Sequence, residues 1–118
     1  MRNFRELEVW NLGRTISINI YKVTSEMPKE EVYGLTSQMR RAAISIPSNI
    51  AEGCSRNSNK EFTRFLEIAI GSSFELETQL MISVDLDFLK TDKVEPLISE
   101  ISTLQIKINA FIKSVKSF

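Results

Sequence analysis

The sequence predicts an all-α domain, an antiparallel up-down-up-down bundle of four helices. Three observations predict it. Apolar residues recur at spacings of three and four through four successive segments, the period of one face of an α-helix. The joints between segments are short, which sets neighbouring helices antiparallel. Proline, glycine and capping residues fall near those joints. The 118 residues suit a single domain spanning 1–118. Apolar residues at 42% and charged residues at 25% are the shares of a globular chain. No low-complexity stretch or repeat of solenoid length interrupts the pattern.

The first helix is expected from about Arg5 to Thr24. Val9, Leu12, Ile16, Ile20 and Val23 make its stripe, with Trp10 and Tyr21 beside it; Asn3 with Glu6 suggests a capping box, and Pro28 ends the segment. The second runs from about Glu31 to Gly53. Leu35, Met39, Ala42, Ala43, Ile46 and Ile50 share its core side, while Ser37, Arg40, Arg41, Ile44, Ser48 and Glu52 share the other. Pro47 lies inside this helix, removes one backbone hydrogen bond and predicts a kink between Ala43 and Pro47. Gly53 reads as the stop. The third runs from Asn59 to about Phe88, started by Ser58 with Glu61. Phe62, Phe65, Leu66, Ala69, Ser73, Leu76 and Leu80 form its apolar arc, and the small residues Ala69, Gly71, Ser72 and Ser73 predict close approach of a neighbouring backbone. The fourth runs from about Val94 to Val115 on the stripe Leu97, Ile101, Leu104, Ile108, Phe111 and Val115. It has two competing starts, a cap from Asp92 with Glu95 or Pro96 as first helical residue.

Composition argues against an enzyme. The chain has no histidine, the commonest general base and transition-metal ligand, so a histidine-containing di-iron bundle site is excluded. Glu75 with Glu77, and Asp85 with Asp87, stand two residues apart and point about 200° apart on a helix, so neither pair is a dyad. Cys54 is the single cysteine; it can form no intrachain disulfide and has no histidine to activate it. The reading is therefore non-enzymatic, with no catalytic residue, no cofactor and no metal. The N-terminal MRNFRELEVW lacks the apolar core of a secretory signal, and no apolar run approaches the ~18 residues needed to cross a bilayer. A cytoplasmic protein with no membrane partner is expected.

Net charge is zero, but the charges are segregated. From Thr36 to Phe65 the cations Arg40, Arg41, Arg56, Lys60 and Arg64 outnumber the acids Glu52 and Glu61, whereas acids dominate from Leu66 to Glu100. The joint between helices two and three brings the five cations toward one region. Asn57, Ser58 and Asn59 and the free amides of the third helix's first turn add donors, a mixture that suits the phosphate backbone of RNA or DNA. No aromatic residues interleave with these cations as a base-stacking surface requires. Ile44 between arginines, with Ser37 and Ser48 beside it, instead suits a subunit interface with an apolar centre and polar rim. Glu77 falls on the apolar arc of the third helix, so a buried ion pair with Arg14 or Arg41 is expected.

The segments FRELEVWNLG, PKEEVYGLTSQMRRAAISIPSNIAEGCSR and KEFTRFLEIAIGSSFELETQL carry a family resemblance in order and spacing. Over roughly Phe4 to Leu89 the chain resembles the four-helix-bundle proteins encoded in intervening sequences of bacterial 23S rRNA genes. That resemblance implies a small cytoplasmic bacterial bundle that assembles as a homopentameric ring, with no catalytic residues. A related branch, the accessory variability proteins of diversity-generating retroelements, implies nucleic acid and a reverse transcriptase as partners; that branch is strongly basic where this chain is neutral. The cationic positions that match the family's motif are Arg40, Arg41, Arg56, Lys60 and Arg64. Two functions are carried forward: an oligomeric bundle that binds RNA or DNA through backbone contacts, and a protein-interaction scaffold with no nucleic-acid role.

Overall fold

Pro28 and Gly34 break the chain between its first two helices, and residues 55–58 and 86–90 make the other two joints. The computed structural model describes residues 1–117. It contains α1 (Glu8–Thr24), α2 (Leu35–Cys54), α3 (Asn59–Asp85) and α4 (Thr91–Lys116), with single 3-10 turns at Phe4–Glu6 and Lys29–Glu31. No strand occurs among the described residues. Each helix has two neighbours: α2 packs on α1 and α3, and α4 packs on α3 and α1. The long axis of 46 Å is close to the length of α3 alone, whose 27 residues span about 40 Å at 1.5 Å per residue.

The four stripes meet in one core. Ile16 and Ile20 of α1, Met39, Ile46 and Ile50 of α2, Phe62, Leu66, Leu76 and Leu80 of α3, and Ile101, Leu104 and Ile108 of α4 are fully buried. Burying each such side chain contributes roughly 1.5–3 kcal/mol, so packing rather than helix propensity holds these helices. Leu12, Leu35 and Phe111 lie at the margin, partly buried against this core.

Pro47 shows how the sequence makes α1 and α2 fit. The helix continues through it from Leu35 to Cys54, yet proline gives Ala43 no helical donor. The buried Ser17 hydroxyl of α1 supplies one, donating to the Ala43 carbonyl at 3.0 Å while also reaching its own Gly13 carbonyl at 2.9 Å. Gly13 makes room: a Cβ there would lie 3.1 Å from Ile46 Cγ2 and 3.4 Å from Pro47 Cδ.

Several helix ends differ from expectation. Asn3 does cap, accepting from the Arg5 N–H, but it caps only the short Phe4–Glu6 turn, and Leu7 is extended before α1 begins. Phe4 instead folds against Trp10, with ring centroids 5.0 Å apart. Helix α2 starts at Leu35 because Gly34 leaves helical geometry. Glu31 stays outside the helix and caps it, its carboxylate accepting from the Leu35 N–H at 3.1 Å. Gly53 is not the stop. It has negative φ inside α2, and its missing Cβ admits α3: a Cβ would lie 2.8 Å from Phe65 Cβ. Ser58 caps α3 as expected, accepting from the Glu61 N–H at 3.1 Å. That helix ends at Asp85, not Phe88. Asp87 adopts φ 62°, and the amides of Phe88 and Asp87 donate to the carbonyls of Ser83 and Val84, each at 2.9 Å, a Schellman closure. Helix α4 uses neither expected start; Lys90 is its N-cap residue and Pro96 lies inside it. Gly71 does not admit a neighbour either, since a Cβ there would meet nothing within 4 Å.

Candidate functional site

The second face of α2 divides into different surfaces. Adjacent arginines diverge by about 100° on a helix, and Arg40 turns toward α1. Its Nε donates to Thr24 Oγ1 at 2.9 Å, its Nη2 reaches the Tyr21 carbonyl at 3.4 Å, and its guanidinium lies 4.6 Å above the Tyr21 ring. A cation at the last turn of α1 also meets the negative end of that helix. Arg40 is therefore a strut between two helices. Arg41 is exposed, with no hydrogen bond or ion pair among the described residues.

Ile44, Ser37 and Ser48 do come together. They line an open groove between α1 and α2 of ≈ 530 Å³ that also takes in Tyr21, Val32, Tyr33, Arg40 and Arg41. A second hollow of ≈ 410 Å³ continues it along α1 and shares Tyr21 and Ile44. Apolar side chains here are unusually open: Ile44 is 43% exposed, Ile18 49% and Tyr33 95%. Thr36 lies in the same wall, its hydroxyl buried and without a partner among the described residues. Two tyrosines lie beside these arginines, Tyr21 under Arg40 and Tyr33 in the groove wall. Tyr33 sits in a joint, outside any periodic stripe, so its position carried no local signal.

The five predicted cations do not form one band. Arg41 and Cys54 are 13 residues apart within α2, or about 20 Å along its axis. Arg56, Lys60 and Arg64 form a separate corner around the start of α3. Arg56 lies 4.9 Å from the Phe65 ring centroid and 3.8 Å from the Glu52 carboxylate, with its Nε buried and unpartnered among the described residues. Lys60 and Arg64 are exposed and have no ion-pair partner among the described residues. Arg2 joins this corner from far away in sequence. Its Nη2 donates to Asn59 Oδ1 at 2.8 Å, and its guanidinium lies 4.1 Å over Phe62.

Glu77 departs from its expected role. It is half-buried and accepts from Gln105 Nε2 at 3.1 Å, while Arg14 lies 5.5 Å from the Trp10 ring centroid. The cross-helix partner is thus a neutral amide of α4, not a cation. Cys54 is buried at the end of α2. Burial pushes its thiol pKa up, against the lowering effect of the Arg2 and N-terminal charges. No cluster of three or more His, Cys, Asp or Glu side chains occurs among the described residues, and no described helix is long and apolar enough to cross a membrane.

A family model described as 23S rRNA-intervening sequence protein matches residues 5–110. The chain belongs to this family. The matched span contains the groove and all of the corner except Arg2. A crystal structure of a protein of unknown function from the S23 ribosomal protein family of Bacteroides thetaiotaomicron superposes with a TM-score of 0.80. The match has 20% identity and covers 89% of this chain and 98% of that one, which supports the fold. No curated protein matches the chain.

Proposed function

We propose that this family member is a non-enzymatic assembly module whose copies associate through the groove between α1 and α2. The carrying observation is that groove: Ile18, Tyr21, Tyr33 and Ile44 are exposed together around it, with Arg41, Ser37 and Ser48 at its margin. Tyrosine and arginine around an apolar centre are the residue types that dominate protein interfaces. The short joints and the neighbour relations of the helices suit an antiparallel up-down-up-down bundle, and a ring such as the pentamer implied by the family resemblance suits the assembly. The test is mass by light scattering after size exclusion. The wild-type protein elutes as a multimer and Ile44→Asp shifts it toward a single chain; a wild-type monomer at tens of micromolar sinks the reading.

A second reading is favoured by the unpaired cations Lys60 and Arg64 beside the first turn of α3. With Arg56 and Arg2 they suit the phosphate backbone of RNA or DNA, and amides at a helix start add donors. Several copies of one modest patch on a rigid assembly bind with avidity. Mobility shift against mixed RNA and DNA tests it. Binding weakens linearly in log salt, with a slope near −0.9 per phosphate neutralised on duplex DNA, and Lys60→Ala with Arg64→Ala flattens that slope. No shift at low salt, or a shift indifferent to those changes, removes this role.

A further inference from the structure

The groove has a counterpart on the same molecule. The outward side of α3 carries Ile68, Phe74, Met81 and Ile82, which at about 100° per residue fall within an arc of about 140°. Phe74 is 55% exposed and Met81 56%, and together with Ile68 and Ile82 they gather apolar surface on one side of α3. Gly71 lies on the same ridge with nothing within 4 Å of where its Cβ would stand. A mid-helix glycine costs about 1 kcal/mol against alanine, and the protomer itself gives no return for it. A neighbour approaching this backbone closely would.

Charge selects what that neighbour is. Glu67, Glu75 and Asp85, all exposed, lie on the same side of α3 as the ridge, and Arg41 and Lys22 line the groove. Groove against groove would place cation on cation, and ridge against ridge acid on acid. Groove against ridge sets acids against cations as well as apolar surface against apolar surface. Lengths agree as well: Ile68 to Ile82 spans about 21 Å of helix, and Ser37 to Ser48 about 16 Å, with Val32 and Tyr33 extending the groove beyond α2.

We propose that a second copy of this chain seats the α3 ridge (Ile68, Phe74, Met81, Ile82) in the groove between α1 and α2. The proposal rests on the assembly reading above and adds the partner surface to it. The contact is heterologous, joining two different patches, so each copy keeps one free groove and one free ridge, and association runs on until a ring closes or a filament grows.

A mixing experiment tests it. Ile44→Asp damages only the groove, and Phe74→Asp or Met81→Asp only the ridge; both sites are exposed, and far-UV circular dichroism verifies that the variants fold. Each variant alone falls to the mass of a single chain. An equimolar mixture of a groove variant with a ridge variant recovers a dimer and nothing larger, because it holds one intact groove and one intact ridge. If Ile44→Asp dissociates the wild-type assembly but both ridge variants keep its mass, the ridge assignment is wrong and the groove reading stands. If all variants are monomeric but the mixture stays monomeric, the contact is not groove to ridge. A wild-type monomer overturns both readings.

Discussion

Ser17→Ala tests the account of how α2 carries a proline. The substitution removes the donor to the Ala43 carbonyl, which Pro47 cannot replace. Ser17 is 5% exposed and Ala43 fully buried, so water has little access to the orphaned oxygen. Leaving such a group unpaired costs about 1–3 kcal/mol. At an unfolding entropy of about 2.1 cal/mol/K per residue, 1 kcal/mol corresponds to roughly 4 °C in Tm for a chain of this size, so Tm falls by about 4–12 °C. Context supplies the sharper measurement. In a Pro47→Ala background residue 47 regains its N–H and can bond Ala43 within the helix. The same Ser17→Ala change then costs markedly less, and urea melts of the four proteins give a coupling energy of at least about 1 kcal/mol. Equal costs in the two backgrounds would refute the pairing of Ser17 with the carbonyl freed by Pro47.

The adjacent arginines separate by stability: Arg40→Ala loses its bonds to Thr24 and Tyr21 and its place over the Tyr21 ring, about 1–2 kcal/mol in chemical denaturation, whereas Arg41→Ala leaves the midpoint of a dissociated protomer within about 0.5 kcal/mol. The glycines separate likewise in an Ile44→Asp background. Gly53→Ala forces Phe65 and Phe62 away and destabilises by about 1–3 kcal/mol, while Gly71→Ala stabilises by about 1 kcal/mol; destabilisation by both would mean that the ridge glycine has a packing role within the protomer. Asp87→Gly relieves a left-handed residue at the end of α3 and raises thermal stability by about 0.5–1 kcal/mol. The Cys54 thiol has a folded pKa above its unfolded value near 9, so its contribution is intact below pH 9 and is lost as pH rises through the folded pKa. Urea melts from pH 8 to 10 show this decline, and Cys54→Ser reduces it.

Features set by neighbouring residues are legible in this sequence, and features that depend on a distant partner are not. Stripes such as Ile16, Ile20 and Val23, or Ile101, Leu104 and Ile108, announce themselves because helical period is a property of nearby residues. The end of α2 shows the limit. Gly53 looks like a stop by its chemistry, yet its reason for being glycine is Phe65 on another helix. Arg40 and Arg41 are indistinguishable in sequence, and only the carbonyl of Tyr21 and the hydroxyl of Thr24 tell them apart. Arg2 reaches the basic corner through Asn59, 57 residues away. The apolar neighbours Leu76 and Leu80 suggest full burial of Glu77, whereas it lies at the edge of the core where Gln105 can reach it.

The zero net charge of the chain does not by itself weigh against phosphate binding, because what a polyanion meets is local. The acids of the ridge, Glu67, Glu75 and Asp85, and the cations of the groove, Arg41 and Lys22, lie on the surfaces that subunit contact would cover, with Arg41 and Glu75 already lining one hollow between α2 and α3 of the same protomer. Seating one in the other removes near-equal numbers of opposite charges from solvent. The corner around the start of α3 lies at the N-terminal end of the ridge, and there Arg2, Arg56, Lys60 and Arg64 outnumber the nearby acids Glu52, Glu61 and Glu67. Assembly would therefore leave the corner's excess positive charge exposed and repeat it once per subunit. A protomer that dissociates through Ile44→Asp keeps its corner intact but presents it singly, with ridge acids uncovered. Its affinity for RNA should fall well below that of the assembly even though no cation has been changed, and equal affinity per chain would separate binding from assembly altogether.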